Sequence, residues 1–155
     1  MNYKYPILII DDDYAILMAL KETFHMEGFE CFATIHAQEA LEKAKKETFA
    51  FAISDQRMAE MTGTQFFTQL KVISPLTSRI LITGVLNNEM FLEAINNAEV
   101  FRCLAKPWER EALLKISKEA YEHFEFIAAY HEANRSLNII NQDLVEESKR
   151  LKQNL

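Results

Sequence analysis

Glycine and proline are scarce, at three residues each in a chain of 155. The last glycine is Gly84 and the last proline Pro107, so Trp108 to Leu155 contains neither of the residues that break a helix. No low-complexity linker divides the chain, and its length suits one domain with an appendage. Cysteine is rarer still. Cys31 and Cys103 lie far apart, with no CxxC or Cys/His cluster, and read as reduced, mostly buried thiols of a cytoplasmic protein. No apolar run approaches the ~20 residues needed to span a bilayer. The N-terminus lacks a signal-peptide pattern, so no membrane partner is expected. Positive charge is in deficit: 17 Lys and Arg against 23 Asp and Glu leave a net charge of −6, which argues against nucleic acid as a partner. Hydrophobic residues are plentiful, at 49%, enough to fill a single core.

Those hydrophobic residues alternate between two patterns. Pro6 to Ile10 is a continuous run rich in β-branched residues, expected of a strand buried on both faces. Asp13 to Met26 places Ile16, Leu17, Leu20 and Phe24 on one helical face, and Gly28 ends that helix. Strands follow at Phe29 to Thr34, Phe49 to Ile53, Arg79 to Thr83 and Val100 to Leu104. Helices lie between them at Ala37 to Glu47, Thr64 to Ser74 (stopped by Pro75) and Asn88 to Asn97, and a last one starts near Glu109. Alternation of this kind implies βαβ units around a parallel sheet. The fold class expected is α/β: a flavodoxin-like, doubly wound (βα)5 sheet in the order 2-1-3-4-5, followed by an extended C-terminal helix. Sites in such sheets form at the carboxyl ends of strands, beside the switch in strand order.

Chemistry gathers at those ends. Asp11, Asp12 and Asp13 follow the first strand, Asp55 ends the third, Thr83 closes the fourth and Lys106 follows the fifth. Converging carboxylates repel unless a hard cation sits among them, and Mg²⁺ favours a few carboxylates, waters and phosphate oxygens. A carboxylate nucleophile, a divalent cation, a hydroxyl and an ammonium describe a phosphoryl-transfer site. Taken singly, each residue has a plainer reading. Asp13 in particular is read as a helix N-cap.

The strings Ile7 to Asp12 (ILIIDD), Ile53 to Gly63 (ISDQRMAEMTG), Ile80 to Gly84 (ILITG) and Leu104 to Trp108 (LAKPW) resemble the response-regulator receiver family of two-component signalling. The resemblance covers roughly residues 5 to 122. It implies that Asp55 is the phosphoacceptor, supplied by a sensor histidine kinase or a histidine phosphotransfer protein. It further implies that Asp12 and Asp55 bind Mg²⁺ directly, that Asp11 acts through water, and that the backbone carbonyl of Arg57 completes the protein ligands. Thr83 would be the switch hydroxyl, Lys106 the ammonium that pairs with phosphate, and Lys106-Pro107 a cis bond. Two positions depart from the pattern. Ala59 stands where the family usually has proline, so that loop is expected to be less rigid. Cys103 stands where an aromatic ring usually swings inward, so coupling is expected to pass through Thr83-Gly84-Val85-Leu86 and the following helix.

Two other classes compete with this one. A haloacid-dehalogenase-like phosphatase would use the DxD of Asp11 to Asp13, but Ala15 does not fit its pattern and no acidic strand residue follows Lys106. A receiver-like interaction module that works without phosphorylation is the other alternative. His25, His36, His123 and His131 are scattered and are not read as metal ligands. Trp108 is expected to pack at the base of the last helix.

The receiver is assigned to residues 1–122 and the extended helix to residues 123–155. Tyr130, Ala133, Leu137, Ile140, Leu144 and Leu151 fall near heptad a and d positions, interrupted by Glu147 and Asn154. A parallel homodimeric coiled coil is the expected consequence. The sequence leaves open whether an effector lies beyond Leu155.

Overall fold

The computed structural model describes residues 3–84 and 87–155. Ten elements alternate along the chain: β1 (Ile7–Ile10), α1 (Tyr14–Met26), β2 (Cys31–Thr34), α2 (Ala37–Lys46), β3 (Phe51–Asp55), α3 (Gly63–Ile73), β4 (Ser78–Thr83), α4 (Asn88–Asn96), β5 (Arg102–Ala105) and α5 (Arg110–Gln153). The five strands are parallel in the order β2-β1-β3-β4-β5, the doubly wound order expected from the alternation. β1 and β3 are buried at every position, which is why their sequences are apolar throughout rather than alternating.

The chain divides into two units, residues 1–124 and residues 125–155. In the first, Leu8, Ile10, Ala52 and Leu81 pack with Ala40, Leu41, Phe66, Phe67, Leu70 and Ala94 from α2, α3 and α4. The other side of the sheet carries an aromatic cluster. Phe24 of α1, Phe29 and Phe51 meet edge to face with centroids 5.6 to 5.8 Å apart, and Tyr121 of α5 joins through Phe29. Aromatic pairs prefer such geometry because a ring's positive edge meets a negative face.

The helix ends follow local chemistry. Asp13 caps α1, accepting from the Ala15 and Ile16 N–H groups, and Gly28 leaves α1 with φ 92°. Thr62 and Gln65 form a reciprocal capping box, so α3 begins at Gly63, one residue before the position read from the sequence. Asn87 caps α4 through the Met90 N–H. β2 and β3 begin later than the apolar runs suggest, since Phe29, Phe49 and Ala50 are buried but precede them, whereas β4 begins one residue earlier, at Ser78. Asp55 is the last residue of β3, the strand end at which the sequence placed it. Both cysteines are half-buried rather than mostly buried, and both are free. Burial pushes the Cys31 thiol up to about 12 and raises that of Cys103.

α5 is a single helix of 44 residues. Leu113, Ser117, Ala120, Tyr121 and Phe124 are buried along its first part, and no residue after Phe124 is buried. No helix is long and apolar enough to cross a membrane among the described residues.

Candidate functional site

Parallel pairing brings the carboxyl ends of the central strands to one edge. β1 ends at Ile10 beside Ser54 of β3, so Asp11 and Asp55 leave adjacent strands at nearly the same level. Asp55 in turn lies beside Ile82, which places Thr83 one residue further along β4. The ligand oxygens of Asp11, Asp12 and Asp55 lie within 4.8 Å of one another. Among the described residues, these three are the one group of His, Cys, Asp or Glu able to hold a metal ion. The donor set is oxygen only, which suits a hard cation. Asp13, the third member of the acidic run, is instead committed to capping α1.

Lys106 reaches into this group. Its ammonium lies 3.0 Å from Asp11 Oδ2 and 3.2 Å from Asp55 Oδ1. Burial alone would lower its pKa, but the hydrogen bond and charge of Asp11, together with Asp55, outweigh it and hold the lysine charged. The balance is opposite at Asp11. Burial raises its carboxyl above the usual range, and the Asp13 N–H and Lys106 return only part of that. Lys106 is placed by its own main chain, whose N–H donates to the Thr83 carbonyl, and Lys106-Pro107 is cis, as the resemblance implies. Thr83 is buried. Arg57 lies exposed, two residues beyond Asp55.

The loop after β3 is tied on all sides. Gly63 sits against it, and a Cβ there would run into the Asp55 carbonyl oxygen and come within 2.7 Å of Leu81. The Ala59 N–H donates to Asp12 Oδ2 at 3.1 Å, and Glu60 bonds His36 Nδ1 at 2.9 Å. Gln56, not singled out in the sequence, is buried between strand and helix. Its N–H donates to Asp55 Oδ1, its side-chain oxygen accepts from the Thr64 N–H, and its side-chain nitrogen donates to Thr64 Oγ1. The signal that could have found it is position: a bifunctional amide between the acidic strand end and the Thr62-Gln65 capping pair.

Cys103 pairs with Leu81 across β4 and β5 and packs, partly buried, against the core that α2, α3 and α4 line. Of the expected coupling loop, Val85 and Leu86 lie outside the described residues. Trp108 is partly buried between β5 and α5.

A family model of the response regulator receiver domain matches residues 7–118. Sporulation initiation phosphotransferase F of Bacillus subtilis is 32% identical over 119 residues, which cover 77% of this chain and 94% of that protein. The hydrogenase transcriptional regulatory protein HoxA of Bradyrhizobium diazoefficiens is 27% identical over 79% of this chain, and the chain spans only 25% of that regulator. Among solved structures, a CheY-like receiver domain protein from Methanospirillum hungatei has a TM-score of 0.74 and 31% identity, covering 78% of this chain and 96% of that one. The receiver domain of an HD domain-containing protein from Pseudomonas fluorescens has a TM-score of 0.78 and 27% identity, covering 83% and 96%. With its strand order, its acidic group and these matches taken together, the chain belongs to the response regulator receiver domain family.

Proposed function

We propose that this chain accepts a phosphoryl group on Asp55 from a phosphohistidine of a sensor kinase or histidine phosphotransfer protein, in the cytoplasm, and so switches an output. The observation that carries this reading is the convergence of Asp11, Asp12 and Asp55 within 4.8 Å, with Lys106 bridging Asp11 and Asp55. An Asp55 carboxylate oxygen attacks phosphorus, the P–N bond to the donor imidazole breaks, and the product is an acyl phosphate. Lys106 stands ready to pair with the phosphoryl oxygens once its contact with Asp55 is released. Thr83, closing β4 beside Asp55, supplies the hydroxyl that follows the phosphoryl group. Asp12, Asp55 and the Arg57 carbonyl would hold Mg²⁺, with Asp11 acting through water. Mg²⁺ bound there neutralises the charge on the transferring group. The domain is an acceptor and switch rather than an enzyme acting on an external substrate.

Residues 1–122 constitute the receiver on this reading, and residues 123–155 pair two copies in parallel. The exposed Tyr130, Leu137, Ile140, Leu144 and Leu151 recur at heptad spacing and support that pairing. Nucleic acid and membranes are not among the partners proposed for this segment.

Incubation with acetyl phosphate and MgCl2, followed by intact-mass and peptide mapping, tests the central claim. One phosphoryl group is expected on Asp55 in the wild type, and none in Asp55→Asn or in EDTA. Labelling of the variant at another residue, or turnover to free phosphate through Asp11, would displace this reading.

A further inference from the structure

The three carboxylates of the acidic group are each steadied by a different main-chain donor. Asp11 accepts from the Asp13 N–H at 2.9 Å, and Asp55 from the Gln56 N–H at 2.9 Å. Both also face Lys106. Asp12 is the exposed member, and its donor comes from across the cleft: the Ala59 N–H, 47 residues away in sequence, at 3.1 Å from Oδ2. That donor exists only because residue 59 is not proline, since a proline has no N–H.

The amide is held in place by its neighbours. Met58 packs against the core, with its thioether 3.8 Å from Ser54 Oγ. Glu60 is bonded at 2.9 Å to His36, the residue that precedes α2. Ala59 is therefore pinned on both sides, and its N–H is directed at one oxygen of Asp12.

We infer that the Ala59 main-chain N–H is a positioning group for the cation site: it occupies Asp12 Oδ2, fixes the carboxylate plane, and leaves the other oxygen for the metal. This rests on the reading of Asp11, Asp12 and Asp55 as the Mg²⁺ site. An exposed carboxylate that must be ordered when the cation arrives binds it less well than one already oriented by a neighbouring hydrogen bond. The donor thus supplies order at Asp12 that a proline at position 59 cannot supply by hydrogen bonding.

The test is Mg²⁺ titration of the full chain, followed by calorimetry, for wild type, Ala59→Pro, Ala59→Gly and Asp12→Ala. Ala59→Pro removes the N–H and is expected to weaken Mg²⁺ about tenfold, the lower end of what loss of a ligand's hydrogen-bond partner does to metal affinity. Ala59→Gly keeps the N–H and is expected to bind close to wild type. Hydrogen exchange of the Ala59 amide gives a second readout that loop stiffness alone does not move. The amide should be protected in the wild type and exchange faster in Asp12→Ala, while the Gln65 and Phe66 amides of α3 stay unchanged. A weakened Asp12→Ala beside an Ala59→Pro that binds like wild type overturns this inference alone. An Asp12→Ala that binds Mg²⁺ undiminished overturns the site reading and the inference with it. Should Ala59→Pro fail to fold, equal Ala59 exchange in wild type and Asp12→Ala still overturns the inference.

Discussion

Removing the charge of Lys106 exposes what the acidic group costs the fold. In Lys106→Met the apolar stem remains but two buried carboxylates lose their cation: the side chains of Asp11 and Asp55 are 2% and 11% exposed. At the observed 3.0 and 3.2 Å, each contact carries roughly 5 kcal/mol of Coulomb attraction at an effective dielectric of ~20. Most of that is offset in the wild type by the several kcal/mol per ion needed to desolvate the partners. In the variant the carboxylates stay desolvated and mutually repelling, and breaking a buried pair this way costs about 3 kcal/mol. Urea unfolding in EDTA at neutral pH measures it.

Two further arms fix the sign. Asp11 already takes its proton more readily than a free carboxylate, so the deficit should shrink as pH falls and Asp11 becomes neutral. The folded lysine holds its proton above the ordinary 10.5, so its contribution is complete below that value. It is lost as pH rises through the folded pKa, where wild type and variant converge. Saturating Mg²⁺ should also narrow the gap, because the cation replaces the missing positive charge and binds more tightly where Lys106 no longer repels it; each tenfold in affinity is worth about 1.4 kcal/mol at saturation. A variant as stable as wild type in EDTA would refute the reasoning, as would a deficit indifferent to Mg²⁺.

Asp13→Ala removes the cap of α1, so it should cost about 1 kcal/mol of stability by thermal or urea unfolding while Mg²⁺ affinity is kept. Asp12→Ala should do the reverse, and equal effects on both quantities would mean the acidic pair is misplaced. Sedimentation at tens of micromolar should show wild type as a dimer and Leu137→Asp/Leu144→Asp as a monomer. Both behaving as the same monomer would rule out pairing through the exposed helix.

Much of the site was legible because a parallel sheet converts one-dimensional order into position. Strand ends carry the chemistry, so Asp11, Asp55, Thr83 and Lys106 could be assigned to one edge although Lys106 and Asp11 are 95 residues apart. Capping was legible too, since Asp13 needs only its own next three residues. What could not be read were contacts set by loop path rather than by strand register. The Ala59 N–H on Asp12 and the Gln56 bonds to Thr64 depend on how the segment between β3 and α3 turns. Without a proline at position 59, the sequence suggested a looser loop, yet the missing ring is what leaves an N–H available to fasten it.

The long helix shows the complementary limit. Before and after Phe124 its apolar residues recur at similar helical spacing, so the pattern alone does not distinguish the part that serves the receiver. The structure separates them by burial. Leu113, Ala120, Tyr121 and Phe124 are at most 4% exposed, whereas Leu137, Ile140, Leu144 and Leu151 are 53 to 62% exposed. Burying such residues is worth roughly 25 cal/mol per Å² of apolar area, a gain that the proposed pairing would collect. The interruptions at Glu147 and Asn154 place polar groups on the seam, where each lowers the stability of a paired helix while restricting its register. Were two copies to pair as proposed, a seam weakened at its far end would have a dissociation constant that a small change near its root can move, which would suit a helix leading away from the proposed phosphorylation site.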